Sequence, residues 1–107
     1  SGSRRLPVSD KKYTPGVYTS SFTLGNEELE LEVSVSDSSI DSIRISNLSE
    51  TVTAMYPLLQ PSLEDLTDQI CKSQSLDDLT LSNDSPYTSQ LLVNAIRDAL
   101  KKAAANN

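Results

Sequence analysis

The residues best placed to do chemistry run from Asn83 to Ser89. There Asn83-Asp84-Ser85-Pro86-Tyr87-Thr88-Ser89 leads directly into the apolar-periodic stretch Leu91 to Leu100. Ser85 is a favourable helix N-cap, and Pro86 suits the first helical position. A helix starting there directs unsatisfied backbone N–H groups outward, and such groups hold anions, above all phosphate. Thr88 and Ser89 would add first-turn hydroxyls, and Tyr87 a flat aromatic face. The competing reading is a well-made helix start with no ligand.

Other chemistry is sparse. The chain has no His, so the commonest general base and metal ligand is missing. Cys71 is the only cysteine, which excludes an internal disulfide, a thiolate cluster and a Cys–His dyad. No nucleophile is paired with a base, which argues against a self-sufficient enzyme. The row Glu28, Glu30, Glu32 has the look of a metal comb but reads more simply as a solvated strand face. Glu64/Asp65 and Asp77/Asp78 read as dipole partners and loop charge, because sequence neighbours on a helix do not face each other. Met55-Tyr56-Pro57 could form a hydrophobic lip but reads more simply as a core plug with a proline helix stop. A net charge of −6 argues against binding nucleic acid or anionic lipid.

These residues need a frame, and the hydropathy pattern supplies one. Gly16 to Leu24 reads as a strand, with Gly25-Asn26 as the turn after it. Leu29, Leu31, Val33 and Val35 alternate with Glu28, Glu30, Glu32, Ser34 and Ser36, the signature of a half-buried strand. Asp37-Ser38-Ser39 turns the chain into a third strand through Ile43 and Ile45. Ile40 is out of phase with that pair, which predicts a bulge or a late start. Two helices are expected to cover the apolar face of this meander. One carries Leu59, Leu63, Leu66 and Ile70, with Pro61, Glu64 and Asp65 near its start and Lys72 at its end. The other carries Leu92, Ala95, Ile96 and Ala99, with Arg97, Lys101 and Lys102 toward its C-terminus. Leu79-Thr80-Leu81 would add a short edge strand. The fold class is therefore α+β, an antiparallel meander covered on one face by two helices. Residues 1–14 read as a tag remnant and polar linker, 15–104 as a single domain and 105–107 as a tail. Ser1-Gly2-Ser3 resembles a cloning scar, which implies a trimmed N-terminus.

In order and spacing the chain from Tyr13 to Ala104 resembles the FMN-binding domain, found in flavin subunits of sodium-pumping and Rnf-type electron-transport complexes and in bacterial surface proteins. Tyr13-Thr14-Pro15-Gly16-Val17-Tyr18 is similar to that family's opening, and Ile40-Asp41-Ser42-Ile43 to its third strand. Glu50-Thr51 is similar to the Glu-Thr of its His-x-Glu-Thr-Pro-Gly element, with Asn47 in the His position and Val52-Thr53 for Pro-Gly. Tyr87-Thr88-Ser89 matches the end of the flavin-attachment motif. The resemblance implies an FMN-binding-like fold and names Glu50, Thr51, Ser85, Tyr87, Thr88 and Ser89 as its cofactor-binding positions.

The departures cluster at the flavin end. Asn83-Asp84-Ser85-Pro86 stands where the family has Ser-Gly-Ala-Thr, so Pro86 takes the place of the flavin-accepting Thr and has no hydroxyl to esterify. The missing Gly removes a close backbone approach to phosphate. Asp84 would put a like charge beside it, costing roughly 4 kcal/mol at about 4 Å and an effective dielectric near 20. Helix-dipole help of about 0.3–1 kcal/mol does not offset that. Two functions follow. One is a binding or scaffold module without covalent flavin, meeting an unidentified protein partner. The other is an electron-transfer domain holding FMN non-covalently, with any redox activity residing in the flavin. Either implies an extracytoplasmic domain, secreted or tethered to a membrane through a removed N-terminal segment, with cytoplasm as the alternative.

Overall fold

A computed structural model describes residues 13–77, 79–81 and 86–104. The elements follow the hydropathy pattern in order: β1 (Gly16–Leu24), β2 (Glu27–Val35), β3 (Ile40–Ile45), α1 (Glu50–Met55), α2 (Leu59–Ser73) and α3 (Pro86–Ala103). The strands form one antiparallel sheet in the order β1-β2-β3. Strict alternation decides which face is dry. Leu29, Leu31, Val33 and Val35 are buried, while Glu28 and Glu30 are exposed and Glu32 is half-buried. The β2–β3 register slips where Val35 pairs with Ile40 but Ser34 pairs with Ser42. Asp41 is the extra residue, and the bulge brings Ile40, Ile43 and Ile45 to the same buried side.

The polar face is satisfied across strands. Arg44 Nε donates to Glu32 at 2.9 Å, and Ser46 Oγ donates to Glu30 at 2.9 Å. Among the described residues no group of three His, Cys, Asp or Glu is arranged to hold a metal, and no helix is long and apolar enough to cross a membrane.

α2 and α3 cover the dry face. Leu59, Leu63, Leu66 and Ile70 of α2 and Leu92, Ala95, Ile96 and Ala99 of α3 are buried. α3 lies antiparallel to β1 and is fastened along its length. Ser20 Oγ, buried, donates to the Ala95 carbonyl at 2.6 Å, Lys102 Nζ donates to the Thr19 carbonyl at 2.6 Å, and Thr14 N donates to the Ala103 carbonyl at 2.8 Å. The N-terminus of α3 is thereby directed toward the β1–β2 turn.

Four expectations are corrected. There are three helices, not two. α1 forms because Ser49 caps it, accepting from Val52 N at 3.2 Å, while Val52 is buried. Leu79-Thr80-Leu81 is not a strand. Gln69 of α2 binds Thr80 at both ends, its Oε1 accepting from Thr80 N and its Nε2 donating to Thr80 O, each at 2.9 Å, so one amide does what a neighbouring strand would. Glu64 and Asp65 lie beyond the first turn of α2, which begins at Leu59, and take side-chain bonds from Gln60 and Gln69 instead. Tyr13 and Thr14 belong to the folded unit. Tyr13 bridges Ala104 and its N–H donates to the Asp37 carbonyl at 3.2 Å.

Candidate functional site

Most large apolar side chains are consumed by the core. Among the described residues Val17, Met55, Leu58 and Tyr87 are the large hydrophobics left exposed, and three of these four meet at one place. Met55 to Leu59, from the end of α1 through the start of α2, form one wall of a groove of about 380 Å³, and Pro86, Tyr87 and Thr88 at the start of α3 form the other. Local sequence explains the convergence. α1 ends at Met55 because Pro57 cannot continue the helical hydrogen bonding, and α2 restarts at Leu59, the first residue of the buried stripe. The intervening Tyr56-Pro57-Leu58 is left facing outward or sideways. Tyr56 is half-buried over the β1–β2 turn, so the groove sits at that end of the sheet. Met55-Tyr56-Pro57 is thus an exposed lip and not the core plug expected from the sequence, Tyr56 alone being half-buried.

The structure separates the expected site residues into three places. Tyr87 (68 % exposed) and Thr88 line the groove. Ser89 faces the interior, 1 % exposed, and its hydroxyl has no hydrogen-bond partner among the described residues. Glu50 and Thr51 are exposed at the N-terminal end of α1 and take no part in the groove wall. Along the six-residue helix they lie roughly 6–7.5 Å from Met55. Ser85, with Asn83 and Asp84, lies outside the described residues. Pro86 does open α3. Leu58 was not anticipated. The available signal was a four-residue apolar run, Tyr56 to Leu59, of which only the last belongs to the helical stripe.

No charged side chain is among the described residues lining the groove, so it offers no cation to a phosphate. Its walls are aromatic, thioether, aliphatic and proline surface, suited to an uncharged apolar group. FMN fits the described residues poorly. Pro86 has neither N–H nor hydroxyl, and the Ser89 hydroxyl is turned inward.

A second cavity of about 380 Å³ lies between α2 and β3, lined by Ile43, Leu63 and Cys71 with Gln60, Glu64, Thr67 and Asp68. Burial raises the pKa of the Cys71 thiol, and the nearby carboxylates of Asp41 and Asp68 raise it further. Its Sγ lies 3.7 Å from the Ile40 carbonyl. A thiol kept protonated in this way is a poor nucleophile.

Comparison with protein-family models, curated proteins and solved structures returns no match for this chain.

Proposed function

We propose that this chain is a non-catalytic binding module of FMN-binding-domain ancestry that carries no covalent flavin and meets an apolar element of a partner protein through the Met55–Tyr87 groove. The observation that supports the reading is the convergence of Met55, Leu58 and Tyr87, exposed by 53, 43 and 68 %, on one uncharged groove. Single exposed apolar residues are ordinary, but a contiguous exposed patch marks an interaction surface. The extracytoplasmic setting implied by the family resemblance belongs to this reading.

A second reading is a domain that holds FMN non-covalently and transfers electrons through it. The exposure of Tyr87 at the first turn of α3 favours it, since the ring is free to stack. Flavin fluorescence separates the two. The first reading expects no micromolar quenching of FMN by the unmodified chain, and quenching by the variant Asp84→Gly, which puts Gly back at its family position and removes the charge. Micromolar quenching by the unmodified chain sinks it.

A further inference from the structure

The two edges of the sheet are guarded very differently. The β3 edge carries Asp41 and Arg44, a bulge, and the side chain of Gln74, the C-cap of α2, laid along its start. Ile40 N donates to Gln74 Oε1 at 2.6 Å, and Gln74 Nε2 donates back to the Ile40 carbonyl at 3.3 Å. β1 is nine residues long and contains no charge, no proline and no register shift. Charge, proline and bulges are the usual devices that stop an edge from pairing.

The hairpin decides which backbone groups of β1 are open. Leu24 and Glu27 close a two-residue turn, so Leu24, Phe22, Ser20 and Tyr18 exchange bonds with β2. The N–H and C=O groups of Val17, Thr19, Ser21 and Thr23 therefore face outward. Among the described residues only Lys102 reaches them, with its Nζ on the Thr19 carbonyl. A carbonyl has two lone pairs, so this bond leaves room for a backbone donor.

The geometry points to a second copy of this chain as the occupant of that edge, β1 pairing antiparallel with β1 about a two-fold axis at Ser20. In this register Val17 faces Thr23 and Thr19 faces Ser21, so every outward group meets a complementary one. Neither strand itself carries a charge, and the cation each copy brings to the junction among the described residues, Lys102, is already held on the Thr19 carbonyl. The acidic rows on the two β2 strands end up three strand spacings apart, about 14 Å, beyond the screening length of about 8 Å at physiological salt. The product is a continuous sheet containing both three-stranded halves, an isologous dimer. It does not depend on the groove or its ligand.

Sedimentation equilibrium on the full chain tests this. The mass is expected to double between roughly 10 μM and 1 mM, the range of a small interface. Added salt is expected to favour the dimer, since each copy carries −6. Ser21→Pro removes only an outward N–H, so the variant should keep the native circular dichroism and the mass of a single chain. Should Ser21→Pro fail to fold, Ser21→Lys puts a charge on the same edge and is expected to give a folded single chain. An unmodified chain that stays monomeric at about 1 mM overturns the proposal. So does a folded edge variant that still doubles its mass.

Discussion

Gly25 and Tyr56 share one site: a β-carbon on Gly25 would overlap the Tyr56 hydroxyl. Gly25 also sits at φ +63°, the left-handed region where L side chains are strained. The turn between β1 and β2 therefore sets the position of Tyr56, and Tyr56 in turn forms part of the groove wall. Gly25→Ala is expected to lower stability by about 1–2 kcal/mol from backbone strain alone, with the displaced hydroxyl adding to it. Tyr56→Phe in the same chain should recover the steric part and leave the backbone part. Urea unfolding of both single variants and the double variant measures that coupling. Strict additivity would show that the two residues do not press on each other.

Ser89 gives a prediction of opposite sign. Its hydroxyl is buried without a partner among the described residues, a cost an alanine would not bear. Ser89→Ala should raise stability by about 1 kcal/mol, or roughly 4–8 °C in Tm for a domain of this size. A hydroxyl engaged in binding or hydrogen bonding would instead make the variant less stable.

Two glutamine side chains stand in for strands. Gln74 bonds both backbone groups of Ile40 and the Cys71 carbonyl while itself adopting φ 58°. Gln74→Gly relieves left-handed strain of about 1–2 kcal/mol but forfeits bonds worth about 0.5–1.5 kcal/mol each. It also leaves the N–H of the buried Ile40 unpaired, so a net loss of about 1–3 kcal/mol is expected by chemical denaturation. Gln69→Ala should cost less, because Thr80 is exposed and water can replace the amide.

The Cys71 thiol predicts a pH dependence. Its folded pKa is raised by burial and by Asp41 and Asp68, so between the unfolded and folded values the native state binds more protons. Stability from this group is fully present below about pH 8.5, the unfolded thiol value, and is lost as pH rises through the folded value. Tyr13, raised by burial, acts in the same direction at higher pH. Melting temperatures of the native chain should fall from pH 8 to 10 more steeply than those of Cys71→Ser. Parallel curves would remove Cys71 from the account.

The sheet was readable because strict alternation from Glu28 to Ser36 has a single structural solution, and the out-of-phase Ile40 announced its bulge. The α2 and α3 stripes were readable for the same reason at helical period. α1 escaped because six residues with one buried side chain, Val52, carry no periodicity, only the cap at Ser49. Leu79 to Leu81 misled because an apolar-polar-apolar triplet cannot reveal that Gln69, eleven positions back, already holds its backbone. At the groove, Tyr87 and Thr88 were singled out from local motif chemistry, as flavin positions and not as walls of an apolar groove. Of the facing wall, Met55-Tyr56-Pro57 was noticed as a possible lip, but neither Leu58 nor the juxtaposition with α3 was readable, since that depends on how two helices pack.

On the proposed function the groove takes an uncharged apolar group and not a flavin phosphate. A two-dimensional NMR titration with N-acetyl-tryptophan amide and, separately, with FMN tests it most directly. The indole compound is expected to shift the resonances of Met55, Leu58 and Tyr87, Tyr87→Ala to abolish this without unfolding, and FMN not to saturate the chain at micromolar concentration. Micromolar saturation by FMN, or an indole titration that leaves those three residues unmoved, would contradict it.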